Sequence, residues 1–217
     1  TGRDVDYTLK IPPPFDLEIP TSESGDNGAF RQDCGMTRPW IERSDANVQD
    51  TFECLAQVGT GGPSLEMPLY ALELGFTERI ADGQNAQFLR NDALLATVIL
   101  TDEDDCSRTD NDFELENDQC GEGDPDYLTM DHSVQFLDGL TGHRSRWATA
   151  VIAGPQDCSS SFGDAVEASR LKDFVTKTGA NGTFSSICDG DLSISLADAL
   201  ANFDAAWPAS QTRSGLS

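Results

Sequence analysis

Positive charge is scarce in this chain: 14 Lys and Arg stand against 38 Asp and Glu in 217 residues, a formal net charge of −24. A surface of that sign repels phosphate backbones and anionic lipid, which sets nucleic acid aside as a partner. Histidine is scarcer still, with only His132 and His143 to serve as neutral-pH bases. Neither a GxSxG elbow, nor an HExxH pair, nor a P-loop occurs, so the common routes to hydrolase and nucleotide chemistry lack their motifs. No apolar run approaches the roughly 18 residues of a membrane span, so no transmembrane segment is expected. CxxC and other zinc spacings are also missing.

What remains is acid, cysteine and alternating α/β pattern. The acids serve either solubility or the capture of hard cations, of which Ca²⁺ and Mg²⁺ suit carboxylates best. The six cysteines are even in number and lack metal spacing, which favours disulfides and an oxidising, extracytoplasmic compartment. Because each neighbouring pair flanks one loop-like stretch, sequential pairing is expected: Cys34 with Cys54, Cys106 with Cys120, Cys158 with Cys188. The length suits a single domain over 1–217. The chain opens at Thr1 without a signal-like segment, and an upstream piece is expected to have been removed or left out.

Along the chain, "VDYTLKI" (5–11) alternates as a strand and "PPP" stops it. Residues 12–45, rich in Pro, Gly, Ser and Asp, read as a long surface excursion tied down by Cys34. Val48, Phe52, Leu55 and Val58 follow near helical spacing, with Asp45 available as a cap. A second helix reaches about Ile80, with either Pro63 or Pro68 in its first turn. "ALLATVILT" (93–101) is apolar without alternation, as in a strand covered on both faces of a parallel sheet. It ends in Asp102, Glu103, Asp104 and Asp105, at the carboxyl end where sites in such sheets lie.

Residues 106–130 read as an acidic loop insertion. Within it Asp110, Asp112, Glu114 and Asp118 fail the EF-hand template, since no glycine stands at the sixth position. A helix over 132–140, a buried strand over 146–155, an amphipathic helix over 164–178 and a weaker strand over 182–188 come next. A final helix carries Leu192, Leu196, Ala199, Leu200, Phe203 and Trp207 on one face and ends near Pro208. Alternation of helix and strand predicts a parallel, helix-covered sheet.

"VGTGGPSLEMPLYAL", followed by the strand ending "ILTDEDD", resembles the second and third metal-site motifs of a von Willebrand factor A-like (vWA) domain. From "TFECLAQVGTGG" through "FLRNDALLATVILTDEDDCS" to "AGP" and "SICD", the chain is similar to vWA-like domains of bacterial secreted proteins and surface lipoproteins. The likeness runs from about Gly25 to Ala201. It implies an α/β fold with a doubly wound, mostly parallel sheet and helices on both faces. It also implies a divalent metal atop the sheet, held by a DxSxS turn, a threonine and an aspartate. By position these last two are Thr60 and Asp102, with Glu103 and Asp104 adjoining. The family's glycine after the aspartate is Glu103 here, and the DxSxS turn should precede "VDYTLKI", where the chain begins.

A sheet without its central strand leaves unpaired backbone. Another chain or an upstream segment is therefore expected to supply that strand. The literal DxSxS, Asp191, Ser193 and Ser195, offers a second placement in a permuted order, against a plain role for Asp191 or Ser193 in capping the last helix. The function implied is metal-dependent adhesion: Mg²⁺ or Ca²⁺ bridges the domain to an acidic group on a protein or surface ligand. The alternatives are an assembly subunit of a cell-surface structure with a degenerate metal site, and a metal-dependent hydrolase acting through Asp102 to Asp105.

Overall fold

A computed structural model describes residues 2–59, 61–116, 125–161 and 163–211. The chain is mixed α/β, and its contacts gather into two compact units. The first comprises the chain up to Phe88 together with a later segment from Asp110; the second comprises Leu89–Thr109 and the remainder.

In the first unit, β1 (Val5–Ile11) pairs antiparallel with β2 (Leu17–Glu23), Val5 opposite Glu23 and Ile11 opposite Leu17. β2 lies within the stretch expected to be a surface excursion. Its side chains are exposed or half-exposed, so it carries no buried face for periodicity to reveal. Pro20 is tolerated there because an edge strand can spare a donor. Helix α1 (Val48–Leu55) forms where the spacing places it but buries nothing; Cys34–Cys54 ties it down. Asp45 does not cap it. The Asp45 carboxylate instead accepts from Glu42 N at 2.8 Å and from Arg38 at 2.7 and 2.8 Å, and the Glu42 amide first, then Arg38, holds it below the ordinary carboxylate range.

Helix α2 (Pro68–Phe76) starts with Pro68 in its first turn, where a missing N–H costs nothing, and the short α3 (Glu78–Ala81) follows. Fully buried Asn85 donates to Gly28 O and Gly75 O and accepts from Phe30 N. That junction requires glycine: Gly28 has φ of 78°, and a Cβ there would stand 2.3 Å from Gly75 N. Phe30, Phe76 and Phe88 pack beside it. β4 (Phe113–Leu115), from inside the expected acidic loop, pairs parallel to β1 and stacks Phe113 on Tyr7 at 5.7 Å.

In the second unit, β3 (Leu95–Leu100), β5 (Trp147–Ala153) and β8 (Gly182–Ser186) form an all-parallel sheet in the order β3-β5-β8. Helix α4 (Met130–Thr141) connects β3 to β5, and α5 (Ser169–Thr178) connects β5 to β8. A small hairpin, β6 (Cys158–Ser160) with β7 (Gly163–Ala165), takes the first residues expected of α5 and is tethered by Cys158–Cys188. Helix α6 (Leu192–Gln211) runs through Pro208 rather than ending there. The two disulfides fit an oxidising environment. Cys106 is disulfide-bonded as well, while its expected partner Cys120 falls outside the described residues.

β5 is buried at every position, whereas β3 alternates: Thr97 and Ile99 are buried, Ala96, Val98 and Leu100 exposed. The parallel pairing of β3 is as the sequence reads, but it is covered on one face only. On α6, among the described side chains, Ser195, Ala199 and Ala206 are the buried positions, while Leu196, Leu200 and Trp207 stay exposed. The sheet-facing side is thus turned by about one residue from the face its apolar residues suggest.

The foot of β5 is fixed by charge. Asp138 of α4 accepts from Arg144 Nε and Nη2 at 2.7 and 2.8 Å and from the Trp147 indole N–H at 2.8 Å, and Arg144 also donates to the final carbonyls of α5, Lys177 O and Thr178 O. Arg144 first, and Trp147 after it, lowers the Asp138 carboxyl against an opposing push from burial. A depressed folded-state pKa stabilises fully above the unfolded value, about 4, and the benefit is lost as pH falls through the lowered value. Asp138→Ala is expected to cost about 2 kcal/mol near neutrality. Urea unfolding of parent and variant should show that gap closing below about pH 4.

Candidate functional site

The carboxyl end of β3 is where the acids gather, and the fold treats the four differently. Thr101 N continues the ladder to Ile152 O at 3.2 Å, and Thr101 Oγ1 accepts from Glu103 N at 3.1 Å, turning the chain sharply. The carbonyl of Asp102 accepts from Val166 N at 2.9 Å, which fixes its backbone. Its carboxylate is exposed and has no hydrogen-bond or ion-pair partner among the described residues. Glu103, beside it, is half-buried.

Asp104 points the other way. Its Oδ2 accepts from Arg170 N at 2.8 Å and Ser169 Oγ at 3.2 Å, and its Oδ1 accepts from Leu171 N at 3.1 Å and Asp105 N at 2.9 Å. Ala168, at the N-cap of α5, has no side chain able to satisfy those first-turn amides, and a carboxylate from a distant loop does so. Asp105 is fully buried. It accepts from Ser107 Oγ at 2.7 Å and Ser107 N at 3.2 Å, and pairs with Arg170 Nη2 at 3.5 Å. Arg170 further donates to Leu128 O and lies over the Tyr127 ring, which Arg108 also approaches. Two of the four acids are therefore structural, and Asp102 is the one left facing water.

The remaining expected ligands scatter. Thr60 lies outside the described residues, as does Asp118 of the acidic loop. Within that loop Glu114 pairs with Lys10 at 2.7 Å and Asp112 N donates to Asp6 O, both serving the β1–β4 pairing. Asp191 accepts from Ser193 N at 2.9 Å at the start of α6, and its hydrogen bonds to Ser193, the hydroxyl first and the amide after it, lower its carboxyl pKa. Ser195 is buried, with Oγ 3.5 Å from Ser186 O. The DLSIS stretch thus serves as a helix start, beyond β8 and one strand removed from the end of β3. His143 accepts from Ser145 N in the turn before β5.

Among the described residues, no group of three or more His, Cys, Asp or Glu is disposed to hold a metal ion. With Asp104 and Asp105 committed, the described part of the β3 end offers the exposed Asp102 carboxylate. An oxygen shell for Mg²⁺ or Ca²⁺ would have to draw its other ligands from elsewhere. Sequence reasoning missed Asp104 as the cap of α5 because donor and acceptor are more than sixty residues apart, and because a helix read over 164–178 starts at Asp164, itself able to cap it. Compared with known proteins, the chain matches no family model, no curated protein and no solved structure at a significant level.

The division of labour among the acids has a measurable consequence. Asp104→Ala should destabilise the protein by about 2 kcal/mol through lost capping bonds. Asp102→Ala should stay within about 0.5 kcal/mol of the parent, as surface substitutions do. Urea denaturation of both variants checks the contrast.

Proposed function

We propose that this is an extracytoplasmic, vWA-like binding domain that engages a macromolecule at the carboxyl end of β3 rather than turning over a substrate. The observation that carries the reading is the exposed Asp102 carboxylate, held by a fixed backbone at the end of a parallel strand while its neighbours are absorbed into the fold. A rigid, unsatisfied oxygen ligand suits a hard cation shared with a partner. Asp102, with Glu103 beside it, would contribute to holding Mg²⁺ or Ca²⁺, and an acidic group on a protein or surface ligand would complete the shell. The disulfides support the oxidising compartment, and no helix among the described residues is long and apolar enough to cross a membrane.

A second reading is favoured by a separate observation, the apolar edge of β3 without strand pairing among the described residues: an assembly subunit that associates without metal. Calcium and magnesium titration calorimetry separates the two. The adhesion reading expects a saturable site in the parent that is abolished in Asp102→Ala, with the melting temperature of the ion-free protein unchanged. Absence of heat in the parent, or equal binding by the variant, would overturn it and leave assembly as the function.

A further inference from the structure

We infer that the free edge of β3 and the apolar strip beside it form a docking groove for an extended strand of a partner protein, apolar on alternate residues and flanked by lysine or arginine. The order β3-β5-β8 leaves one side of β3 without strand pairing among the described residues. Edge strands are ordinarily blunted by lysine, proline or a bulge. The strand "LATVIL" has neither a charge nor a proline. It also carries apolar side chains on both faces, as a doubly covered strand does, yet Val98 is 47% and Leu100 52% exposed.

The exposed row has a wall. Trp147 stacks on Phe174 of α5, so the odd positions of β5 point toward α5, and Ala148, Ala150 and Ile152 point to the opposite face. That face is fully buried on β5, where α6 packs on β5 and β8 without substantial packing on α4 or α5. In register, Ala96, Val98 and Leu100 stand beside Ala148, Ala150 and Ile152, so the exposed row of β3 is on the α6 side. Helix α6 runs antiparallel to the sheet: Ser195 reaches Ser186 O at the end of β8, and Asn202 reaches Asn181 O before its start.

With right-handed crossovers from β3 to β5 to β8, the residue that follows each sheet-facing position of such a helix turns toward β3. Those residues are Leu196, Leu200, Phe203 and Trp207, of which Leu196, Leu200 and Trp207 are 43%, 65% and 47% exposed. An apolar floor on β3 and an apolar flank on α6 thus meet at one groove.

Charge selects the occupant. Exposed Asp92 and Asp102 stand at the two ends of β3, and neither β3 nor α6 contains a Lys or Arg. Of the basic residues near these elements, Arg90 precedes β3, Arg108 after it is buried over the Tyr127 ring, Arg146 just before β5 is engaged with the carbonyls of Asn91 and Ala93, and Arg213 beyond α6 lies outside the described residues. A second copy, at −24, would bring acid against acid. A strand with basic flanks satisfies both the unpaired backbone and the carboxylates at its two ends.

The test uses the full chain in EDTA, so that its outcome is independent of any ion at Asp102. A synthetic peptide of alternating valine and threonine, with lysine at both ends, is titrated while Trp207 fluorescence and hydrogen exchange of the β3 amides are followed. Saturable binding with slowed exchange in β3 is expected, weakened at least about tenfold by Val98→Lys, by Leu200→Lys, or by replacing the peptide lysines with glutamate. Both substitutions lie on exposed side chains and should leave thermal unfolding unchanged. Failure of the native protein to bind, or equal binding by either variant or by the glutamate peptide, overturns the proposal. So does concentration-dependent dimerisation of the protein alone that protects the same amides, which would assign the groove to a second copy.

Discussion

Strand β5 has no face it can show to water, and much of the second unit follows from that constraint. Seven consecutive positions, Trp147–Ala153, are buried, so the strand must have a neighbour on each edge and a layer on each face. β3 and β8 supply the edges in parallel register. Trp147 brings a second demand, because an indole N–H buried beside Phe174 needs an acceptor. Asp138 provides it, and Arg144 in turn satisfies Asp138 and the last carbonyls of α5. One buried aromatic thereby fixes the ends of two helices against the foot of one strand.

The excess of acid is less a uniform coat than a set of assignments. Asp45, Asp104, Asp105, Asp138 and Asp191 each accept bonds from amides, hydroxyls, an indole or guanidinium groups of the same chain. In a protein with 14 basic residues, backbone amides and hydroxyls supply much of the hydrogen bonding that salt bridges would otherwise provide. Those carboxylates that make no such bond are conspicuous for that reason, and Asp102 is one of them.

The parts of the fold legible in the sequence are those whose signal is local. β5 is a solid apolar run, α5 shows Leu171 and Phe174 at helical spacing, and Pro68 marks the start of α2 once the competing Pro63 is set aside. β2 is invisible to periodicity because "LEIPTSE" buries no face; it is held by backbone pairing with β1 and by polar contacts such as Glu23 with Ser64. The burial of β3 was overread, since an apolar run reports what a strand is suited to rather than what covers it. At the β3 end, the location of the acids was legible but not their roles: the capping amides that claim Asp104 come from a helix more than sixty residues away. The disulfides Cys34–Cys54 and Cys158–Cys188 follow the sequential pairing.

The threading of the chain carries a consequence for how it is made. β1 pairs with β4 across roughly a hundred intervening residues, and the whole of the second unit's segment Leu89–Thr109, β3 included, is synthesised in between. The first sheet cannot close until the chain has left that unit and come back. A ribosome therefore exposes β1 and β2 as a two-stranded ribbon, with Tyr7 lacking its stacking partner, for the whole of that interval. Such a ribbon is marginal in water, so the order of synthesis leaves an aggregation-prone early species that a folding catalyst or a fast translation tempo would shorten.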